Sequence, residues 1–153
     1  MRIGVISDTH GLIRPEALRA LQGVQLIIHA GDVGAPEVLT QRKLIAPVFA
    51  VRGNVDTEPW AQGLPLTTVV EISGSQFYVL HNLRELDLNP KAAGFDAVIS
   101  GHTHAADQHE DSGVLYLNPG SAGPRRFQLP ITLAQVEVGK KPWRVELVRL
   151  LEP

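Results

Sequence analysis

Seven side chains suited to divalent cations lie in short blocks along the chain. Asp8 and His10 stand in "SDTHG", Asp32 in "AGDVG", Asn54 in "RGNVD", His81 in "VLHN", and His102 and His104 in "SGHTH". Carboxylate, amide oxygen and imidazole are donors for borderline divalent ions, and the absence of cysteine removes thiolate chemistry. Seven donors exceed what one tetrahedral ion uses, whereas two ions sharing a carboxylate would occupy them all. Each block also has an ordinary reading. Asp8 with Thr9 can cap a helix, and Asp32 after Gly31 and Asn54 after Gly53 can be turn residues. His81 can be a hydrogen-bonded histidine at a strand end. The pair His102 and His104 can be a surface pair, a polar turn, or two ligands facing different ions. Only their joint occurrence favours metal.

The elements that must carry these blocks follow from hydrophobic patterning. In the first half, apolar runs alternate with helical patterns, the signature of a parallel sheet with covering helices. "RIGVIS", "VQLIIHAGD" and "PVFAVRGN" read as strands. "RPEALRALQG" and "APEVLTQRKLI" read as helices, each opened by a proline, Pro15 and Pro36, suited to a first turn. From residue 66 the chain turns mostly to strands: "LTTVVEIS", "SQFYVLHN", "FDAVISGH", "VLYLNPGS", "ITLAQVEV" and "WRVELVRLL". Every candidate ligand then falls at the C-terminal end of a strand, the edge where open α/β sheets bind ligands.

Composition narrows the function classes. A length of 153 residues fits one domain, 1–153, and 44% hydrophobic with 20% charged residues argues against disorder. A net charge of −2 and the lack of a basic, aromatic-interleaved run give no footprint for nucleic acid, so an anionic partner would have to be held by bound cations. No stretch approaches the roughly 20 apolar residues that span a bilayer. The first apolar run meets Asp8 too soon for a signal-peptide core, and a soluble cytoplasmic protein is expected.

Taken in order, "GVISDTHG", "HAGDVG", "RGNVD", "LH" at 80–81 and "SGHTH" resemble the five blocks of the calcineurin-like metallophosphoesterases. With "NPGSAGPR" at 118–125, the chain is most similar to the small bacterial and archaeal phosphodiesterases of the YfcE type. The resemblance implies an α/β fold of two packed mixed β-sheets flanked by helices, an αββα sandwich. It also implies a metal-dependent phosphodiesterase with a dinuclear centre and a bridging hydroxide. Residue by residue, Asp8, His10 and His104 would hold the first ion, Asp32 would bridge, and Asn54, His81 and His102 would hold the second. Manganese suits this mixture of donors, with iron, nickel, zinc, cobalt and magnesium as alternatives. The partner would be a small phosphate ester. Homo-oligomerisation is compatible with the sequence.

Two positions depart from the family pattern. Many members carry histidine where this chain has Val55, and relatives commonly place glycine where it has Asn82. The first removes a proton donor, and the second bears on the width of the entrance. Other polar residues have weaker expectations: His29 as a core histidine or one supporting a ligand from behind, His109 on a solvated face, Arg125 and Arg126 as phosphate grips or loop braces. The competing reading is a non-catalytic interaction scaffold on the same fold, which would not need a complete donor set.

Overall fold

The computed structural model describes residues 1–151. Its first sheet has the order β10-β9-β1-β2-β3, built from β1 (Arg2–Ile6), β2 (Leu26–His29), β3 (Val48–Ala50), β9 (Ile131–Glu137) and β10 (Arg144–Leu151). The second has the order β4-β5-β6-β8-β7, from β4 (Thr67–Ile72), β5 (Ser75–Leu80), β6 (Ala97–Ile99), β7 (Asp107–Asp111) and β8 (Val114–Asn118). Both are mixed. β1, β2 and β3 run parallel with β9 antiparallel to β1, while β5, β6 and β8 run parallel between antiparallel edge strands.

Side-chain alternation explains how the sheets stack. Ile3, Val5 and Ile28 of the first sheet meet Phe77, Val79, Ala97, Ile99 and Leu117 of the second in one buried cluster. The opposite parity on the first sheet, Ile6 and Ile27, packs against Ala17 and Leu21 of the α1 segment (Pro15–Ala20). Val38 and Leu39 of α2 (Pro36–Lys43) pack near β3. The outer face of the second sheet, with Tyr78, Leu80 and Val98, is covered instead by Leu86, Leu88 and Phe95 of an irregular segment containing one short 3-10 turn. The α-helices therefore flank one side only.

Patterning did not reveal β7. Its sequence, "DQHED", is exposed throughout and has no apolar face; it is a strand because it pairs with β8 along its whole length. His109 lies there on the exposed edge, 2.7 Å from Asp107, as a solvated face requires.

Candidate metal centre

The parallel register of β1 and β2 sets Ile6 level with His29, and the ladder continues past both strands. Ala30 donates to the Ile6 carbonyl, Asp8 to Gly31 and His10 to Asp32, at 2.9, 3.0 and 3.0 Å. These bonds hold the turns bearing Asp8, His10 and Asp32 side by side. On the second sheet, the Gly101 N–H donates to the His81 carbonyl at 2.9 Å and draws the end of β5 to the end of β6. Asp8, His10, Asp32, His102 and His104 all have φ between 47° and 76°, a region that side-chain-bearing residues enter at a cost. Such strain, concentrated at five candidate ligands, marks turns shaped for a site.

The seven candidates fall together. Donor atoms of Asp8, His10 and His104 lie within 4.8 Å of one another, as do those of Asp32, His81 and His102. The two groups adjoin: Asp32 Oδ2 is 3.2 Å from His81 Nε2 and 3.7 Å from His10 Nε2, and Asp8 Oδ1 is 3.5 Å from His104 Nε2 and 3.9 Å from His81 Nε2. Asn54 Oδ1 lies 3.2 Å from His102 Nδ1. Asp8 does not cap α1, whose N-cap is Arg14.

Each carboxylate has one oxygen held and the other directed inward. Asp8 Oδ2 accepts from the Ser7 hydroxyl and the His102 N–H, while Oδ1 is buried without a partner. Asp32 Oδ1 accepts from the Val55 N–H, leaving Oδ2 toward the imidazoles. His81 Nδ1 is 2.7 Å from the Ala30 carbonyl and must donate there, so in the neutral ring Nε2 carries a lone pair; Nε2 is also buried and unpartnered. Orphaned lone pairs of opposed carboxylate and imidazole fit a cation between them.

Of the residues behind the donors, sequence reasoning anticipated His29 but not the roles of Asp56, Thr9 and Asn118. Asp56 accepts from the N–H groups of Val33, Gly34 and Gly53, clamping the turns that carry Asp32 and Asn54. Its signal was visible as the last letter of "GNVD". His29 sits between two ligand turns. Gly31 N–H donates to its Nδ1 at 3.1 Å, so its Nε2 carries the proton and donates to Thr9 Oγ1 at 3.0 Å, and Thr9 in turn donates to Val33. Asn118 donates to Gly101 O and Thr103 Oγ1, and Thr103 Oγ1 also accepts from Ala105 N–H, fixing the turn between the paired histidines. A Cβ at Gly101 would run into Ser7 Oγ and lie 2.7 Å from Asp8 Oδ2, which is why the backbone needs glycine there. Asn82 caps the following 3-10 turn, its Oδ1 accepting from Arg84 N–H. Clefts of about 740 and 570 Å³ both border Asn82 and His102.

Electrostatics separates the two carboxylates. Burial raises the Asp8 pKa above the usual range, with His81 and Ser7 opposing. Burial also pushes Asp32 upward, but the adjacent His81 imidazole and the Val55 N–H bond outweigh it and hold the group low. For His81, desolvation lowers the pKa, yet the nearby Asp32 carboxylate prevails and raises it. A cation at His81 Nε2 would compete with a proton whose hold the neighbouring Asp32 strengthens. Metal affinity is accordingly expected to rise with pH. Calorimetric titrations in buffers of different ionisation enthalpy should show proton release on metal binding, and its absence would contradict this competition.

The sequence profile described as the calcineurin-like phosphoesterase superfamily domain matches residues 1–141. The chain belongs to this superfamily. It is 36% identical to "Probable metallophosphoesterase" of Methanothermobacter thermautotrophicus, over 92% of this chain and 88% of that one. The structure of an archaeal phosphodiesterase superposes with a TM-score of 0.79 at 27% identity, covering 97% of this calcineurin-like chain and all 100% of the other. At lower identity, YfcE of E. coli (TM-score 0.69, 20% identical, 98% and 100% covered) and the zinc complex of Vps29 from Entamoeba histolytica (0.76, 23%, 98% and 99%) share the fold. The two mixed sheets expected from the resemblance are thus those of the calcineurin-like fold.

Proposed function

We propose that the protein is a metal-dependent phosphodiesterase in which Asp8, His10 and His104 hold one divalent ion and Asn54, His81 and His102 a second, with Asp32 shared. The observation that carries this reading is the inward-facing set of unpartnered donors, Asp8 Oδ1 and His81 Nε2, beside Asp32 Oδ2. Ions bound there would lower the pKa of water and offset the negative charge of the phosphate group. The chain's own contribution is position. Ser7 and the His102 N–H orient Asp8, the Val55 N–H orients Asp32, and Ala30 fixes the His81 tautomer. Filled donor positions throughout weigh against the scaffold reading. We place the protein in the cytoplasm as one domain and take manganese as its metal; among the described residues no helix is long and apolar enough to cross a membrane.

A screen of aryl diesters, aryl monoesters and cyclic nucleotides after metal reconstitution, with metal content measured on the same samples, tests the proposal. Hydrolysis of none of them by fully loaded protein would refute it.

Val55 makes the screen more specific. Its side chain, 44% exposed, can neither donate a proton nor accept one. Rates are expected to fall steeply as the leaving group becomes more basic, since a general acid typically supplies about 10² to 10⁴-fold. Val55→His should improve poor leaving groups more than nitrophenolate. A shallow dependence on leaving-group pKa in the unmodified protein would show that another residue already protonates the leaving oxygen.

A further inference from the structure

The smaller of the two clefts that border the candidate centre, about 570 Å³, is lined by three of the proposed donors, Asn54, His81 and His102. It is lined as well by three charged side chains, Arg52, Glu85 and Asp87. Among the described residues Arg52 is its one permanent cation. An anion entering here is repelled by the two carboxylates and drawn to a single place, two residues along the chain from Asn54.

Arg52 is braced for such a role. Its backbone N–H donates to the Pro65 carbonyl at 2.8 Å, and its Nη1 donates to Gln62 Oε1 at 2.8 Å. Gln62 is itself tied back, its Nε2 donating to the Thr57 carbonyl at 3.3 Å. One end of the guanidinium is therefore fixed while the side chain as a whole stays half-buried at the cleft. Its Nε is buried and, among the described residues, has no hydrogen-bond partner. A loop brace alone accounts poorly for this, because a buried donor left unpaired costs more than an exposed bond to Gln62 returns. A guanidinium carries five N–H donors in a planar fork, and the Gln62 bond occupies one nitrogen.

We infer that Arg52 is a substrate-binding residue, its guanidinium donating to the non-bridging oxygens of a phosphate group held at the centre. This inference rests on the phosphodiesterase reading above. The planar fork matches a tetrahedral oxyanion through paired, charge-assisted hydrogen bonds, which a point charge makes less well. Arg52 orients the phosphate and leaves activation of water to the centre.

Binding of inorganic phosphate to metal-reconstituted protein, followed by calorimetry and as competition with hydrolysis of bis(4-nitrophenyl) phosphate, tests the assignment. Arg52→Ala should weaken phosphate about ten- to a hundredfold, the range for a hydrogen bond to a charged group, with metal content unchanged. Free guanidinium ion, far below the concentration that unfolds the protein, should restore part of the lost affinity in that variant and add none to the unmodified protein. Arg52→Lys keeps the charge without the fork and should fall between the two. Two further variants separate contact from its alternatives. Arg84→Gln removes an exposed positive charge from the larger cleft, and Gln62→Ala removes the brace while leaving the guanidinium; each should lose much less affinity than Arg52→Ala. A matching loss in either would reduce Arg52 to general charge or loop support and overturn the inference. So would unchanged phosphate affinity in Arg52→Ala, or loss of its metal, while hydrolysis by the unmodified protein left the parent reading standing. If the loaded, unmodified protein neither bound phosphate nor cleaved the diester, both would fall together.

Discussion

Asp32→Ala should lose at least one equivalent of bound metal and slow diester hydrolysis by at least about 10² to 10³-fold, the scale seen when a single electrostatic stabiliser is removed. The expectation follows from placement. Asp32 Oδ2 faces His81 at 3.2 Å and His10 at 3.7 Å, so it borders both donor groups, whereas Asn54 contacts only His102 among them. Its other oxygen takes the Val55 N–H, so the substitution also frees the turn bearing Asn54. The fold should survive, because Asp56 independently ties that turn to Val33 and Gly34. Metal analysis on the purified variant, with circular dichroism as the check on folding, decides the matter. Full metal content with undiminished turnover would remove the shared-carboxylate arrangement.

Acidification should destabilise the protein through His29. Complete burial holds this imidazole neutral, with the charge of Arg42 adding to the effect, and its pKa falls from 6.5 to about 3. Above pH 6.5 both the native and the unfolded chain leave it unprotonated, so it adds no pH dependence. Below that value the unfolded chain binds a proton that the native chain refuses. Stability is therefore lost as pH falls from 6.5 toward 3, by up to about 1.4 kcal/mol per pH unit from this residue. The raised pKa of His81 acts with the opposite sign, its contribution being present in acid and lost as pH rises. Urea unfolding of metal-free protein between pH 7 and 4, compared with His29→Asn, isolates the His29 share. Asparagine can still accept the Gly31 N–H but does not titrate. Parallel pH profiles for the two proteins would show that His29 is not the source.

How much of this was legible in the sequence varies from residue to residue. The donors could be read because a strand end followed by Asp, Asn or His is a local pattern, and five such patterns in order are specific. The strands of the first sheet were legible for the same reason: Ile3, Val5, Ile27 and Ile28 are buried on both faces and read as continuous apolar runs. The strand β7 was not, since its stability resides in pairing with β8. Nor could spacing show that His29 bonds Thr9 across the sheet, or that Asp56 accepts three backbone N–H groups. Those bonds depend on register and turn shape, and no periodicity records them. The left-handed backbone of Asp8, His10 and Asp32 was equally hidden, because propensity points to glycine at such positions.

The two candidate donor groups each draw on both sheets: Asp8 and His10 follow β1 and His104 follows β6, while Asp32 follows β2 and His81 and His102 follow β5 and β6. A cation in either group would act as a further cross-link between layers joined by apolar contact and by the bonds of His102 N–H to Asp8 and His81 to the Ala30 carbonyl. Binding energy would then become cohesion of the whole molecule, about 2.7 kcal/mol for an ion present at a hundred times its dissociation constant. On this account, starvation for metal would silence the enzyme and also loosen it, exposing the idle protein to proteolysis, so that its abundance would follow the supply of its own cofactor.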